Sequence, residues 1–186
     1  MRCSATRRWV PALSIAALAV TASAQELCTS CHGPGGNSPD PEVPSIAAQP
    51  KLFLETQLVV FREGLRPSPQ MAPIVQGMPD AEITRLATRF SRLPSKAMDT
   101  GGDRKLSAHG RSRAAALRCG VCHLPDFRGQ KQVPRLASQR ERYLAAEMKA
   151  YRDGRRQGGD TIMSAALHGV SDEDIAAIAH FLSRQR

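Results

Sequence analysis

Two runs of the chain share one five-residue pattern, Cys28-Thr29-Ser30-Cys31-His32 and Cys119-Gly120-Val121-Cys122-His123. On a helical turn the residues at i, i+3 and i+4 lie on one face, so each run offers two thiols and an imidazole side by side. That spacing suits covalent attachment of haem: the thiols bond the two vinyl groups, and the histidine rises beneath the iron as its proximal ligand. The expectation is two covalently bound haem c groups, held by Cys28, Cys31, Cys119 and Cys122, with His32 and His123 on the irons.

The same residues could do other chemistry. Four thiolates could share one zinc, but 87 residues separate the pairs and both histidines would be left without a role. A redox-active C-x-x-C pair belongs in a strand-helix-strand setting, which neither run has. Structural disulfides are the third reading, open to any exported chain.

Export is written at the start of the chain. Arg2, Arg7 and Arg8 form a basic region, Val10 to Val20 is apolar, and Ala22-Ser23-Ala24 fits a cleavage site. The apolar run is short for a membrane span. The expectation is a signal peptide over residues 1–24 and a periplasmic protein, with an uncleaved anchor as the alternative. Cys3 leaves with the signal. Of 26 basic and 17 acidic side chains, 23 and 17 then remain, a net +6. Nucleic acid does not explain that excess, because no basic stripe interleaved with aromatics is present. Only eight aromatic residues occur in the chain, so two small halves would have weak cores of the kind that a cofactor strengthens.

The elements that must position the motifs are themselves repeated. Val43-Pro44-Ser45-Ile46-Ala47-Ala48-Gln49 returns ninety residues later as Val133-Pro134-Arg135-Leu136-Ala137-Ser138-Gln139. Leu54, Leu58 and Phe61 return as Leu144, Met148 and Tyr151, an i, i+4, i+7 stripe that predicts a helix in each half. Gly64 and Gly154 stand where those helices should stop. Ile83, Leu86, Ala87 and Phe90 return as Ile175, Ile178, Ala179 and Leu182 in a last helix, which Ser171 and Asp174 open like a capping box. The fold class expected is all-α, two tandem small domains at residues 25–94 and 105–186 joined by a linker at 95–104. Before the second motif a helix is expected from about Ser107 to Leu117. The first motif has only Gln25-Glu26-Leu27 ahead of it, so its haem is expected to be less covered, or walled by a partner.

The sixth iron ligand should lie between the middle and last helices of each half. Met71 stands seven residues before Met78, and Met163 seven before Val170. Met78 thus aligns with an apolar core position, and Met71 and Met163 are the expected axial ligands, 39 and 40 residues after their histidines. Met148 belongs to the helix stripe and Met98 to the linker. His109, His168 and His180 read as solvated side chains.

Charge divides unevenly between the halves. Residues 25–95 carry six basic and seven acidic side chains, and residues 96–186 carry 17 and ten. An asymmetry of that size can orient docking to an acidic redox partner, or peripheral association with an anionic membrane. Arg152, Arg155 and Arg156, leading into the Met163 loop, are the expected docking cluster, with electrons passing through the second haem.

With both haem motifs, the proline-to-glutamine segments and the methionine loops, the chain resembles the dihaem class I cytochromes c of the cytochrome c-four type. The resemblance covers essentially all of the sequence after the leader. Val133 to Gln139 followed by Tyr143-Leu144 is close to the family's usual run, as is Leu167 to Ile175. The resemblance implies a small helical cytochrome fold in each half, His/Met-ligated iron, and electron transfer between respiratory complexes and a terminal oxidase. It also implies that the carbonyls of Pro44 and Pro134 accept a hydrogen bond from the proximal histidines. The short N-terminus and the Gly35-Gly36-Asn37-Ser38 loop are similar to the cytochrome subunit of flavocytochrome c sulfide dehydrogenase, which makes a dehydrogenase subunit the alternative function. In either case the expected role is electron carriage rather than catalysis on a substrate. A haem with an open sixth position, as in a peroxidase, would require one methionine to be missing, and the repeat supplies both.

Overall fold

The computed structural model describes residues 24–97, 101–159 and 161–186. The expected leader and Met98 lie outside these residues. The described chain is helical, with no strand and one isolated bridge, Gln130 to Val133.

The first half begins with α1 (Ala24–His32), which contains the first cysteine motif and little before it. It continues with α2 (Lys51–Arg62), the short α3 (Ala72–Val75) and α4 (Asp80–Arg92). The second half opens with α5 (Arg104–Ala116), followed by α6 (Cys119–His123), α7 (Glu141–Arg152), α8 (Thr161–Leu167) and α9 (Asp172–Ser183). Helix α5 starts three residues earlier than its apolar pattern suggests. The Asp103 carboxylate accepts from the N–H groups of Lys105 and Leu106, satisfying donors that a helix start leaves orphaned.

Local chemistry explains the other ends. Gly64 and Gly154, at φ +68° and +66°, turn the chain left-handed just beyond α2 and α7, a conformation that favours glycine. The Ser171 hydroxyl accepts from Asp174 N–H to open α9.

Each half closes over its own apolar cluster. Leu54 of α2 meets Leu86, Ala87 and Phe90 of α4, with Cys28, Ile46, Leu58 and Met78 packed at the margin. Leu144 and Met148 of α7 meet Ile175, Ile178 and Leu182 of α9, with Leu167 and Val170. The second cluster is larger because α5 lies along α9. Gly110 permits this crossing, since a Cβ there would run into the Ala177 carbonyl.

The halves meet through paired contacts that repeat about a pseudo-two-fold axis. Phe53 N–H donates to Lys131 C=O at 3.0 Å, and its counterpart Tyr143 N–H donates to Pro41 C=O at 3.2 Å. Beside them Arg66 and Arg156 close a ring with Gln57 and Glu147. Arg66 donates to Gln57 at 2.7 Å and to Glu147 at 3.0 Å; Arg156 donates to Glu147 at 2.6 Å and to Gln57 at 3.0 Å. The two guanidiniums also stack on equivalent rings, Phe61 and Tyr151.

Candidate haem sites

In the second half, α6 is a single helical turn bracketed by two residues at positive φ, the left-handed Arg118 (φ +56°) and Leu124 (φ +69°). Such a conformation costs a non-glycine residue about 1–2 kcal/mol, so the surrounding packing holds the motif in place. His123 is buried, and its Nδ1 lies 2.8 Å from the carbonyl oxygen of Pro134. A carbonyl can only accept, so Nδ1 carries the proton and Nε2 keeps its lone pair. Burial pushes the ring's pKa below the usual histidine value despite the Pro134 bond, which favours a neutral ligand.

Cys119, Cys122 and His123 line one side of an apolar cleft. Its remaining wall comes from Leu136, Leu144, Met148, Leu182, Ile162 and Met163. A slot of this kind, with thiols, a neutral imidazole and a thioether in its lining, fits a covalently attached haem. The cleft therefore brings together all four site residues that the sequence suggests for this half.

The first half repeats much of this arrangement. His32 is buried, its Nδ1 donates to the Pro44 carbonyl at 2.8 Å, and burial lowers its pKa as well. Cys28 is half-buried and Cys31 exposed, as are Cys119 and Cys122 respectively. Met78 packs on the Leu54–Leu86–Phe90 cluster. Arg62 donates to the Met78 carbonyl at 2.7 Å, just as Arg152 donates to the Val170 carbonyl at 3.0 Å. Met78 thus occupies the place of Val170. Met71 is half-buried directly ahead of α3, with its N–H on the Ser68 hydroxyl at 3.1 Å. What reads as two loops in sequence contains the short helices α3 and α8.

The thiols fit the competing chemistries poorly. All four are free, and burial pushes those of Cys28 and Cys119 up. An attacking redox cysteine needs a lowered pKa. Among the described residues no group of three or more His, Cys, Asp or Glu could hold a metal ion.

Two surface expectations need correction. Arg156 does not belong to a docking cluster: its side chain is 7% exposed and is committed to Glu147 and Gln57 between the halves. Arg152 pairs with Asp153 and Asp172, and Arg155 with Asp153. Hydrogen bonds from Arg152 and Arg155 hold the Asp153 carboxyl down at about 2. The cluster is largely neutralised from within. His180 is not a solvated side chain either. It is 5% exposed, with Nδ1 on Glu141 at 3.2 Å, because α9 is covered by both α5 and α7. His109, on Asp174, and His168 are exposed. No described helix is long and apolar enough to cross a membrane.

The contribution of Gln49 and Gln139 is not apparent from sequence. Both are buried and reach across the interface to the segments that follow Pro134 and Pro44. A signal was present, since glutamine closes the repeated segment at the same offset in each half.

Comparison with known proteins agrees with this architecture. Residues 107–185 match the family model described as Cytochrome c. The chain is 31% identical over 170 residues to a thiosulfate dehydrogenase electron acceptor of Thiomonas intermedia, covering 85% of this chain and 78% of that protein. It is also 31% identical over 168 residues to cytochrome c4 of Pseudomonas aeruginosa, covering 84% and 82%. The crystal structure of reduced cytochrome c4 from Pseudomonas stutzeri superposes with a TM-score of 0.79 at 27% identity, covering 86% of this chain and 94% of that one.

Proposed function

The chain belongs to the cytochrome c4 family of electron-transfer cytochromes c, and we propose that it is a periplasmic carrier of two haem c groups, one in each half. The halves are residues 25–94 and 105–186, preceded by a cleaved signal at 1–24. Cys28 and Cys31, and Cys119 and Cys122, hold the haems through thioethers. His32 and His123 are the proximal ligands, and Met71 and Met163 the distal ones. The observation that carries this reading is the cleft in which His123 and Met163 line the same apolar slot as Cys119 and Cys122. A bound haem supplies a one-electron iron couple. Held by a histidine and a methionine, the iron would offer no open site to a substrate, and the methionine sulfur would raise its potential.

The residues of the chain supply the rest. Apolar walls exclude water, and the Pro44 and Pro134 carbonyls fix the imidazole rings and raise their basicity. The partners are redox proteins, a donor complex on one side and a terminal oxidase on the other. A second reading is the electron-accepting subunit of a periplasmic dehydrogenase. It is favoured by the relative named as a thiosulfate dehydrogenase electron acceptor, which is as similar as the cytochromes c4.

Mass spectrometry of the denatured mature chain tests the cofactor, and two haem additions are expected. Zinc, or two disulfides without haem, would end the proposal. Met71→Ala and Met163→Ala should each open one haem to carbon monoxide. If Met78→Ala opens the first haem and Met71→Ala does not, the ligand assignment is wrong. Co-purification separates the two functions: a stoichiometric dehydrogenase favours the subunit, and a lone dihaem protein the carrier.

A further inference from the structure

Gln49 and Gln139 are each 4% exposed, and their side-chain amides cross between the halves. Gln139 Nε2 donates to the Ser45 carbonyl at 2.8 Å, and its Oε1 accepts from Ser45 N–H at 2.7 Å. That oxygen also accepts from Arg140 N–H at 2.9 Å. In the opposite direction, Gln49 Nε2 donates to the Arg135 carbonyl at 2.9 Å, and its Oε1 accepts from Arg135 N–H at 2.9 Å.

The bonded N–H groups occupy a particular place in the chain. Ser45 N–H belongs to the same peptide unit as the Pro44 carbonyl, which accepts from His32. Arg135 N–H belongs to the same unit as the Pro134 carbonyl, which accepts from His123. A peptide that donates at its N–H becomes a stronger acceptor at its C=O, and such chains of bonds strengthen by about 10–30% per bond. Each glutamine therefore acts, through one peptide unit, on the histidine of the other half.

The backbone is distorted to make this possible. The residues just before the glutamines, Ala48 and Ser138, are both left-handed, at φ +55° and +59°. That conformation is disfavoured for a non-glycine residue. Strain of this kind collects where geometry serves a function, and here it appears at equivalent positions in both halves.

We propose that Gln139 and Gln49 are positioning residues that tune the two irons crosswise, Gln139 setting the reduction potential of the haem on His32 and Gln49 that of the haem on His123. The inference rests on the ligand assignment proposed above. A stronger bond from Nδ1 makes the imidazole a better electron donor to iron and favours the oxidised state. Removing a glutamine should therefore raise the potential of the opposite haem.

The test uses the full haem-loaded protein, with redox titrations followed haem by haem through the NMR signals of the haem methyl groups. Gln139→Met, similar in shape and without hydrogen bonds, should shift the equilibrium of the His32 haem toward reduction. A shift of up to about tenfold is expected, which is about 59 mV for one electron. The His123 haem should move much less. Gln49→Met should give the mirror pattern. Equal shifts at both haems, a shift confined to the glutamine's own half, or no shift would overturn the proposal. Should the methionine variants not fold, Gln139→Glu and Gln49→Glu retain an acceptor facing the N–H. They should leave the opposite potential at or below its original value, and a rise there would count equally against it. Mass and optical spectra of the unmodified protein establish the haems and their ligands beforehand, so a failure of the functional reading is seen separately.

Discussion

Helix α9 of the second half and helix α4 of the first carry the same inward stripe, Ile175, Ile178, Ala179 and Leu182 against Ile83, Leu86, Ala87 and Phe90. Their outer faces differ where α5 lies. Ala177 and Phe181 are buried under α5, whereas the equivalent residues of α4, Arg85 and Arg89, are exposed. Among the described residues the first half has no helix in the place of α5, and its last helix carries an exposed arginine face where the second presents an apolar one. The comparison separates two constraints. Residues that line a haem site or the interface repeat closely, while those that only cover the back of a helix follow whatever lies outside it.

The largest test of this contrast is Phe181→Ala set beside Arg89→Ala. Phe181 is 6% exposed and its ring meets that of Phe127 edge-on at 5.7 Å. Its truncation should cost about 3–5 kcal/mol, and that of Arg89 less than about 0.5 kcal/mol, read as denaturant midpoints of the haem-loaded protein. Equal losses would mean that the arginine face of α4 is packed after all. Next comes the ring between the halves, where one carboxylate serves two guanidiniums of which 13% and 7% remain exposed. Glu147→Gln leaves two buried cations without a counter-charge and should cost about 3 kcal/mol. Gln57→Glu supplies the missing charge in the other half and should restore much of that stability in the double variant. A smaller loss, about 1–3 kcal/mol, is expected for Gly110→Ala, which crowds the α5–α9 crossing; near-infrared and visible spectra of the first haem should stay unchanged. The smallest effect expected is in potential rather than stability. Arg135, a buried cation, stands where the first half has Ser45, so Arg135→Ser should lower the potential of the second haem and leave the first nearly unchanged. Matched titrations of the two haems would reveal it.

Much of the fold was legible because its signals are local. The stripes of α2 and α7, the stops at Gly64 and Gly154 and the cap at Ser171 each depend on residues within a few positions of one another. The haem motifs were legible for the same reason. Sequence and structure part where surfaces meet. His180 looks solvated on a helix with one apolar stripe, but α9 is buried almost all round, and periodicity then loses its meaning. Arg156 looks like part of a basic patch because nothing within α7 shows that Glu147 and Gln57 will enclose it. Helix α5 starts ahead of its apolar spacing because its first turn is fixed by the Asp103 cap. The roles of Gln49 and Gln139 depend on a contact between segments some ninety residues apart. Their equal spacing was visible, and its meaning was not.

The pseudo-two-fold interface has one more consequence. Most hydrogen bonds across it have a counterpart running the other way, so each half carries both complementary surfaces on a single patch. Such a patch is what a symmetric homodimer presents to its own copy. The polypeptide is in this sense a dimer whose subunits have been joined end to end, and the covalent connection between them acts as a tether. A short tether holds its two ends at an effective concentration in the millimolar range. The interface can therefore consist of a few buried hydrogen bonds and one ion-pair ring, with association assured by the covalent connection rather than by affinity.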